Sequence, residues 1–497
     1  MELWKINLLN YKNLSYFFFI GCFVVGALTA SSYSWAASAD KNKLPQIGTS
    51  GFSVLSVDKE RLIGTAMMQQ IRARGGIIND PVLIEYINHL GNSLVKNAND
   101  VNYSFEFFIV NNQELNAFAF FGGHIGIHSG LITTADTESE LASVIAHEIS
   151  HVTQRHLARR IEAQSRTQPL TLAGIVSGVL LTMINPAVGM AALSTSMAAS
   201  QQFGINYTRG NEKEADRVGI TLLAHSGFDP LGAPNFFNKM LEKYRYTSKP
   251  PAMLLTHPLP ESRVSEARIR AQNFPKISVA PKLDFELAKA RIKARYEGDP
   301  EYNINHFSSA ISKGQYAFLA AARYGLALSY FEDKAYDKAL AILNDLLQED
   351  ANNLFYIDAL SDVLIALKQF KQAEKMLATV NWLMPNNQVA ALNYANVLLE
   401  MGNLDASAQV LQDFLLVSPD SFIAYDLLTT VYRKQDKKAL MHVSKAQVMA
   451  LVGAYTQAID ELQTAMTYAD DLPIISKRIK GRILQLQDQQ EKLKRLN

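Results

Sequence analysis

Apolar residues recur along this chain in two regimes that meet near residue 275. Before it, helical and extended periods alternate. From about residue 283 onward every stretch repeats with a helical period. Val57–Arg74 predicts an amphipathic helix stopped by Gly75-Gly76, and Pro81 opens a second one reaching about residue 96. Two β-rich runs follow, 103–110 and 124–132, joined by a segment holding Asn116-Ala117-Phe118 and Gly122-Gly123. Thr137 and Glu140 form a capping-box pattern ahead of a long helix to about residue 162. A further helix opens near Asn211 and ends at Gly227, with Asp229-Pro230 marking the turn beyond. The first regime therefore predicts an α+β domain.

The second regime carries a 34-residue period. Ala339 and Ala373 are one period apart, as are Leu343, Leu377 and Leu411, and Tyr336, Phe370 and Leu404. Asn352-Asn353 returns as Asn386-Asn387, and Pro385 as Pro419. This register resembles the tetratricopeptide repeat and predicts an all-α solenoid with a core of its own. A fourth, imperfect unit is expected around Tyr455 and Ala458, displaced by an insertion at 437–449. The basic, Gln-rich tail from Lys477 reads as a solvated capping helix.

The N-terminus changes the picture of where the chain works. Lys5 and Lys12 precede an apolar run from Leu14 to Ala30, and Ala37-Ser38-Ala39 fits a small-x-small cleavage pattern. Residues 1–39 are expected to be a cleaved export signal; the competing reading keeps the run as a membrane anchor. The only cysteine, Cys22, lies inside that run, with Phe19 where a lipid-anchored chain wants a small or aliphatic residue. A mature chain starting at Asp40 would have no thiol, so any metal site in it must be built from His, Glu and Asp. A net charge of +1 gives no argument for nucleic acid or an anionic surface as partner.

The chemistry concentrates at His147-Glu148-Ile149-Ser150-His151. Histidines at i and i+4 share one helix face, so both imidazoles can reach one Zn²⁺ ion. Glu148 points to the side, placed as a general base rather than a ligand. Leu141, Val144, Ile145 and Ile149 mark this helix as buried, where two histidines need partners. Asn211-Glu212-Lys213-Glu214-Ala215-Asp216 offers more donors: Glu212 and Asp216 share a face and Glu214 points elsewhere. That stripe supplies one carboxylate for the metal and one to accept an N–H from a ligating imidazole.

His147-Glu148-x-x-His151, Glu212-x-x-Ala215-Asp216 and the preceding Asn116-Ala117-Phe118 resemble the zinc peptidase family of the HtpX-type and CAAX prenyl proteases. The resemblance implies that Glu212 is the third ligand, with Asp216 orienting a ligand imidazole. The order of signal, peptidase and repeats is similar to periplasmic members in Gram-negative bacteria. It implies a zinc endopeptidase peripheral to the outer membrane that degrades misassembled outer-membrane proteins and assists their assembly. It implies the outer-membrane β-barrel assembly machinery as partner through the repeats, with unfolded or misassembled outer-membrane proteins as substrates.

The domains then read as 1–39 signal peptide, 40–275 zincin-like zinc metallopeptidase and 276–497 tetratricopeptide repeats. Family members similarly carry His257-Pro258, and His257 is assigned to the site: it either blocks the open metal position at rest or donates to the oxyanion. His156 falls on another face of the expected helix and reads as structural, and His124 and His128 as strand residues. Residues 122–132 are either an edge strand that pairs with substrate or an interior strand. The apolar run 169–184 reads as a cover or gate over the cleft, with a buried helical hairpin as the alternative. The rival functional class is a repeat-based chaperone or scaffold with a structural zinc site, and Glu148 argues against it, since such a site needs no base.

Overall fold

The computed structural model describes residues 55–165, 209–245 and 252–494. The signal segment and the 169–184 run lie outside the described residues. Helix α1 (Val57–Arg74) starts at Ser56, whose side chain accepts from the Lys59 N–H, and ends at left-handed Gly75. Helix α2 (Pro81–Val95) has Pro in its first turn and Asp80 as cap. A small mixed sheet follows, β1 (Glu106–Val110), β2 (Ala117–Phe120) and β3 (His124–His128), in the order β1-β3-β2.

Two expectations for this sheet are corrected. The joining segment is itself a strand, β2, antiparallel to β3, and the tight Phe121–Gly123 turn between them needs Gly122 and Gly123 at φ 82° and 84°. The edge-strand alternative for 122–132 fails because β3 lies in the middle and Ser129–Thr134 is helix α3. The outer edge of β1 is blunted: the Asn88 amide donates to Phe107 O and accepts from Phe107 N, and Ile78 N donates to Ile109 O. The outer edge of β2 pairs with no strand among the described residues.

Helix α4 (Glu138–Thr153) runs under the sheet, buried on every side. Thr137 caps it, but the Glu140 carboxylate reaches back to the Asp136 N–H, one residue earlier than a capping box requires. The long helix expected to reach residue 162 breaks after Thr153. Arg155 takes a left-handed φ of 51°, its guanidinium held by Glu60 and Leu55 O, and helix α5 (His156–Ser165) restarts at once. Helix α6 (Arg209–His225) packs on α4, with Gly219 placed so that a Cβ would meet the His147 backbone at 3.2 Å. Helices α7 (Gly232–Tyr244), α8 (Ala252–Thr256) and α9 (Glu261–Gln272) complete this part.

Helix α10 (Leu283–Tyr296) opens the helical array, followed by α11 (Pro300–Lys313). The pairs are α12 (Leu319–Glu332) with α13 (Tyr336–Glu349), α14 (Leu354–Ala366) with α15 (Phe370–Leu383), and α16 (Gln388–Glu400) with α17 (Leu404–Val417). Then come α18 (Phe422–Lys434) with α19 (Lys438–Leu451), α20 (Tyr455–Met466) and α21 (Pro473–Lys494). The period has clear physical carriers: Asn353, Asn387 and Ser421 cap the first helix of a pair. Left-handed residues Lys334, Lys368, Gly402 and Asp436 turn the chain between the two.

Asp436 shows that 437–449 is not an insertion. It is the second helix of a pair in unbroken register, one whose Lys438 and Met441 lack the aromatic and small residues that made the others visible. The two parts do not have separate cores. One apolar cluster runs continuously from Ile78 to Val397. Buried Arg291 donates to Asp80 Oδ2 (2.7 Å), Tyr324 Oη (2.8 Å) and Asp358 Oδ2 (2.6 Å), so one guanidinium joins both parts. At the far end, Tyr455 and Ala450 O hold Gln69 of α1.

Candidate metal centre

Helix α4 places His147 and His151 one turn apart, both buried, with their Nε2 atoms 3.0 Å apart. Helix α6 presents Glu212 to them: Oε2 lies 3.5 Å from His147 Nε2, and Oε1 3.6 Å from His151 Nε2. His257, just beyond α8, brings Nδ1 to 3.1 Å from Glu212 Oε1. The ligand atoms of His147, His151, Glu212 and His257 lie within 4.8 Å of one another, all four residues buried. Three imidazoles and a carboxylate gathered this closely are the donor set a divalent cation of borderline softness fits.

The surroundings hold these donors in place. His147 Nδ1 meets Asp216 Oδ1 at 3.0 Å. Burial would depress His147, but hydrogen bonds with Asp216 and Glu212 lift it to about 10. Arg263 on α9 grips Asp216 with two N–H groups at 2.8 Å, and its Nη1 lies 2.7 Å from Glu212 Oε2 and from Pro258 O. Burial works against Glu212 ionising, but His257, His147 and His151 hold its carboxyl well below the usual range.

Glu148 is fully buried beside the cluster. Its Oε1 lies 3.6 Å from His257 Nε2, and neither oxygen has a well-formed hydrogen bond among the described residues. Burial raises its pKa, with His257, His147 and the Ala119 backbone opposing. A buried carboxyl with oxygens to spare and a raised pKa suits a group that takes and returns a proton.

The residues singled out from the sequence are therefore brought together: His147, His151, Glu212 and His257 in one group, Glu148 beside it, Asp216 on His147. Arg263 carried no signal that separates it from neighbouring Arg268 and Arg270. The structure also draws in His156, through the break at Arg155. Its Nδ1 lies 2.8 Å from His151 Nδ1 and its Nε2 3.0 Å from Glu214 Oε2, which Arg159 Nη2 meets at 2.8 Å. Burial pushes the His156 imidazole down to about 4, against the pull of Glu214.

This geometry has relatives. Residues 83–271 match peptidase family M48, and residues 364–431 match the tetratricopeptide repeat. The β-barrel assembly-enhancing protease of Yersinia pestis is 41% identical over 95% of this chain and 97% of its own length. That of Escherichia coli strain K12 is 40% identical over 95% and 96%. This chain belongs to the β-barrel assembly-enhancing proteases, with a family M48 peptidase domain. A Vibrio cholerae relative reaches 43% over 92% of this chain and 94% of its own. The peptidase is metal-dependent, and its domain carries a small sheet and is followed by helical repeats. Among the described residues no helix is long and apolar enough to cross a membrane.

Proposed function

We propose that this chain is a zinc endopeptidase of the Gram-negative periplasm, exported by a cleaved signal at 1–39. It degrades misassembled outer-membrane proteins and assists their assembly, docking on the β-barrel assembly machinery through its repeats. The name shared by the relatives supports the substrate class, and the observation that carries the chemistry is the convergence of His147, His151 and Glu212 beside Glu148. These three would hold the ion, and zinc is favoured by two imidazoles and a carboxylate without thiolate. When bound, zinc supplies a Lewis acid that polarises the scissile carbonyl and makes water a nucleophile near neutral pH.

The chain's own groups do the rest. Glu148 accepts the proton of the attacking water and delivers it to the leaving amine. Asp216 accepts the Nδ1–H of His147, keeping Nε2 free to ligate, and Arg263 keeps both carboxylates in place. The open edge of β2 is the natural place for an extended substrate, since Ala119 of that strand acts on Glu148 through its backbone. His257 blocks the site at rest: its two nitrogens face Glu212 and Glu148, the groups a working centre needs free.

Glu148→Gln tests the reading. Zinc stoichiometry should stay unchanged while cleavage of an unfolded outer-membrane protein falls by about 10²- to 10⁴-fold. Unchanged turnover in the purified variant would remove Glu148 from the reaction and favour a structural zinc site.

A further inference from the structure

We propose that His156 and Glu214 position His151 for its metal, by fixing which of its two nitrogens carries the proton. The inference rests on the assignment of His151 as a ligand. Nε2 of His151 faces His147 and Glu212, while Nδ1 faces Nδ1 of His156 at 2.8 Å. Two imidazole nitrogens at that separation share one proton, so one ring donates and the other accepts. What decides the direction is the far side of His156. Its Nε2 lies 3.0 Å from Glu214 Oε2, and a carboxylate there can only accept.

His156 must therefore carry its proton on Nε2 and offer a lone pair at Nδ1. His151 must then carry its proton on Nδ1, which leaves Nε2 bare toward the metal. The opposite assignment would set the Nε2 lone pair of His156 against the carboxylate oxygen that already accepts from Arg159. Both ligand histidines thus end in a carboxylate–arginine pair. His147 reaches Asp216 and Arg263 directly, and His151 reaches Glu214 and Arg159 through a second ring.

The fold builds this arrangement deliberately. In an unbroken helix His156 would stand five residues on, turned about 140° from His151 at about 100° per residue. The left-handed turn at Arg155, anchored on Glu60 and Leu55 O, brings it back against that ring. Glu214 then meets it from α6 on the side turned away from Glu212.

The experiment uses the full chain, labelled with ¹⁵N at histidine and loaded with zinc. Ring-nitrogen correlations should show His156 as the Nε2–H tautomer and His151 as the Nδ1–H tautomer. Zinc affinity, measured by competition with a chromophoric chelator, should fall by about 10- to 100-fold in His156→Phe and in Glu214→Leu. His156→Gln, whose carbonyl accepts the same N–H, should recover most of it. An Nδ1–H tautomer at His156, or unchanged affinity in both variants, overturns the proposal; should a variant not fold, the tautomers of the unaltered chain decide. His151→Ala separates the two readings. If it retains zinc, the ligand assignment itself fails. If it loses zinc while His156→Phe does not, only the positioning role fails.

Discussion

Arg263 is the residue on which the carboxylates of the centre converge, since it holds Asp216, Glu212 and the carbonyl of Pro258 together. Its contacts separate what each acid should do. Glu212→Gln removes a ligating oxygen charge, leaving too few donors for a tight site, so zinc and activity should be lost together. Asp216→Asn leaves the ligands in place but weakens the partner of His147 and the grip of Arg263, and should cost about 10- to 100-fold in affinity. Zinc content after dialysis against a weak chelator distinguishes them; equal losses would mean that the stripe acts as one unit. His257→Ala should raise basal proteolysis. A rise of about tenfold corresponds to a resting population ~90% closed, whereas a fall would make His257 a donor to the oxyanion instead.

At the scale of elements, the centre depends on how closely α4 and α6 approach. Gly219 permits that approach: any Cβ there would lie 3.2 Å from the Cα and N of His147, tighter than ordinary contact. Gly219→Val should force the helices apart and cost about 1–3 kcal/mol in thermal unfolding. Because His147 and Glu212 ride on the two helices, zinc affinity should fall with it. Full affinity in a destabilised variant would show that the site relaxes independently of the helix pair. The same scale explains one misreading. The pattern of 137–162 is helical throughout, yet a side chain distant in sequence, Glu60, captures Arg155 and bends the chain there.

At the scale of the whole molecule, repeats and peptidase share a core. Arg291 is fully buried between Asp80 and Asp358, and Asn393 adds a hydrogen bond to Asp358 at 2.8 Å. Arg291→Ala should cost about 3–5 kcal/mol, because two buried carboxylates lose their counter-ion. Calorimetry should show peptidase and repeats destabilised together. Two transitions, with only the repeat transition shifted, would show that the array folds on its own. The 34-residue period suggested such independence. What it did not contain was the cluster from Ile78 to Val397, whose members are contributed by both regimes.

The local geometry of this protein was written in its sequence. An i, i+4 histidine pair, a capped helix start and a 34-residue register are set by helical pitch and hydrogen bonding within a few residues, which any reader of the chain can apply. The shared face of Glu212 and Asp216 followed from the same pitch. Tertiary structure alone decided the rest. It chose β2 rather than β3 as the open edge, set Arg263 across two carboxylates, and turned His156 from a bystander into a neighbour of His151. Each of those depends on groups tens of residues apart meeting in a low-dielectric interior. There, unpaired charge is costly, and packing rather than periodicity selects the partner.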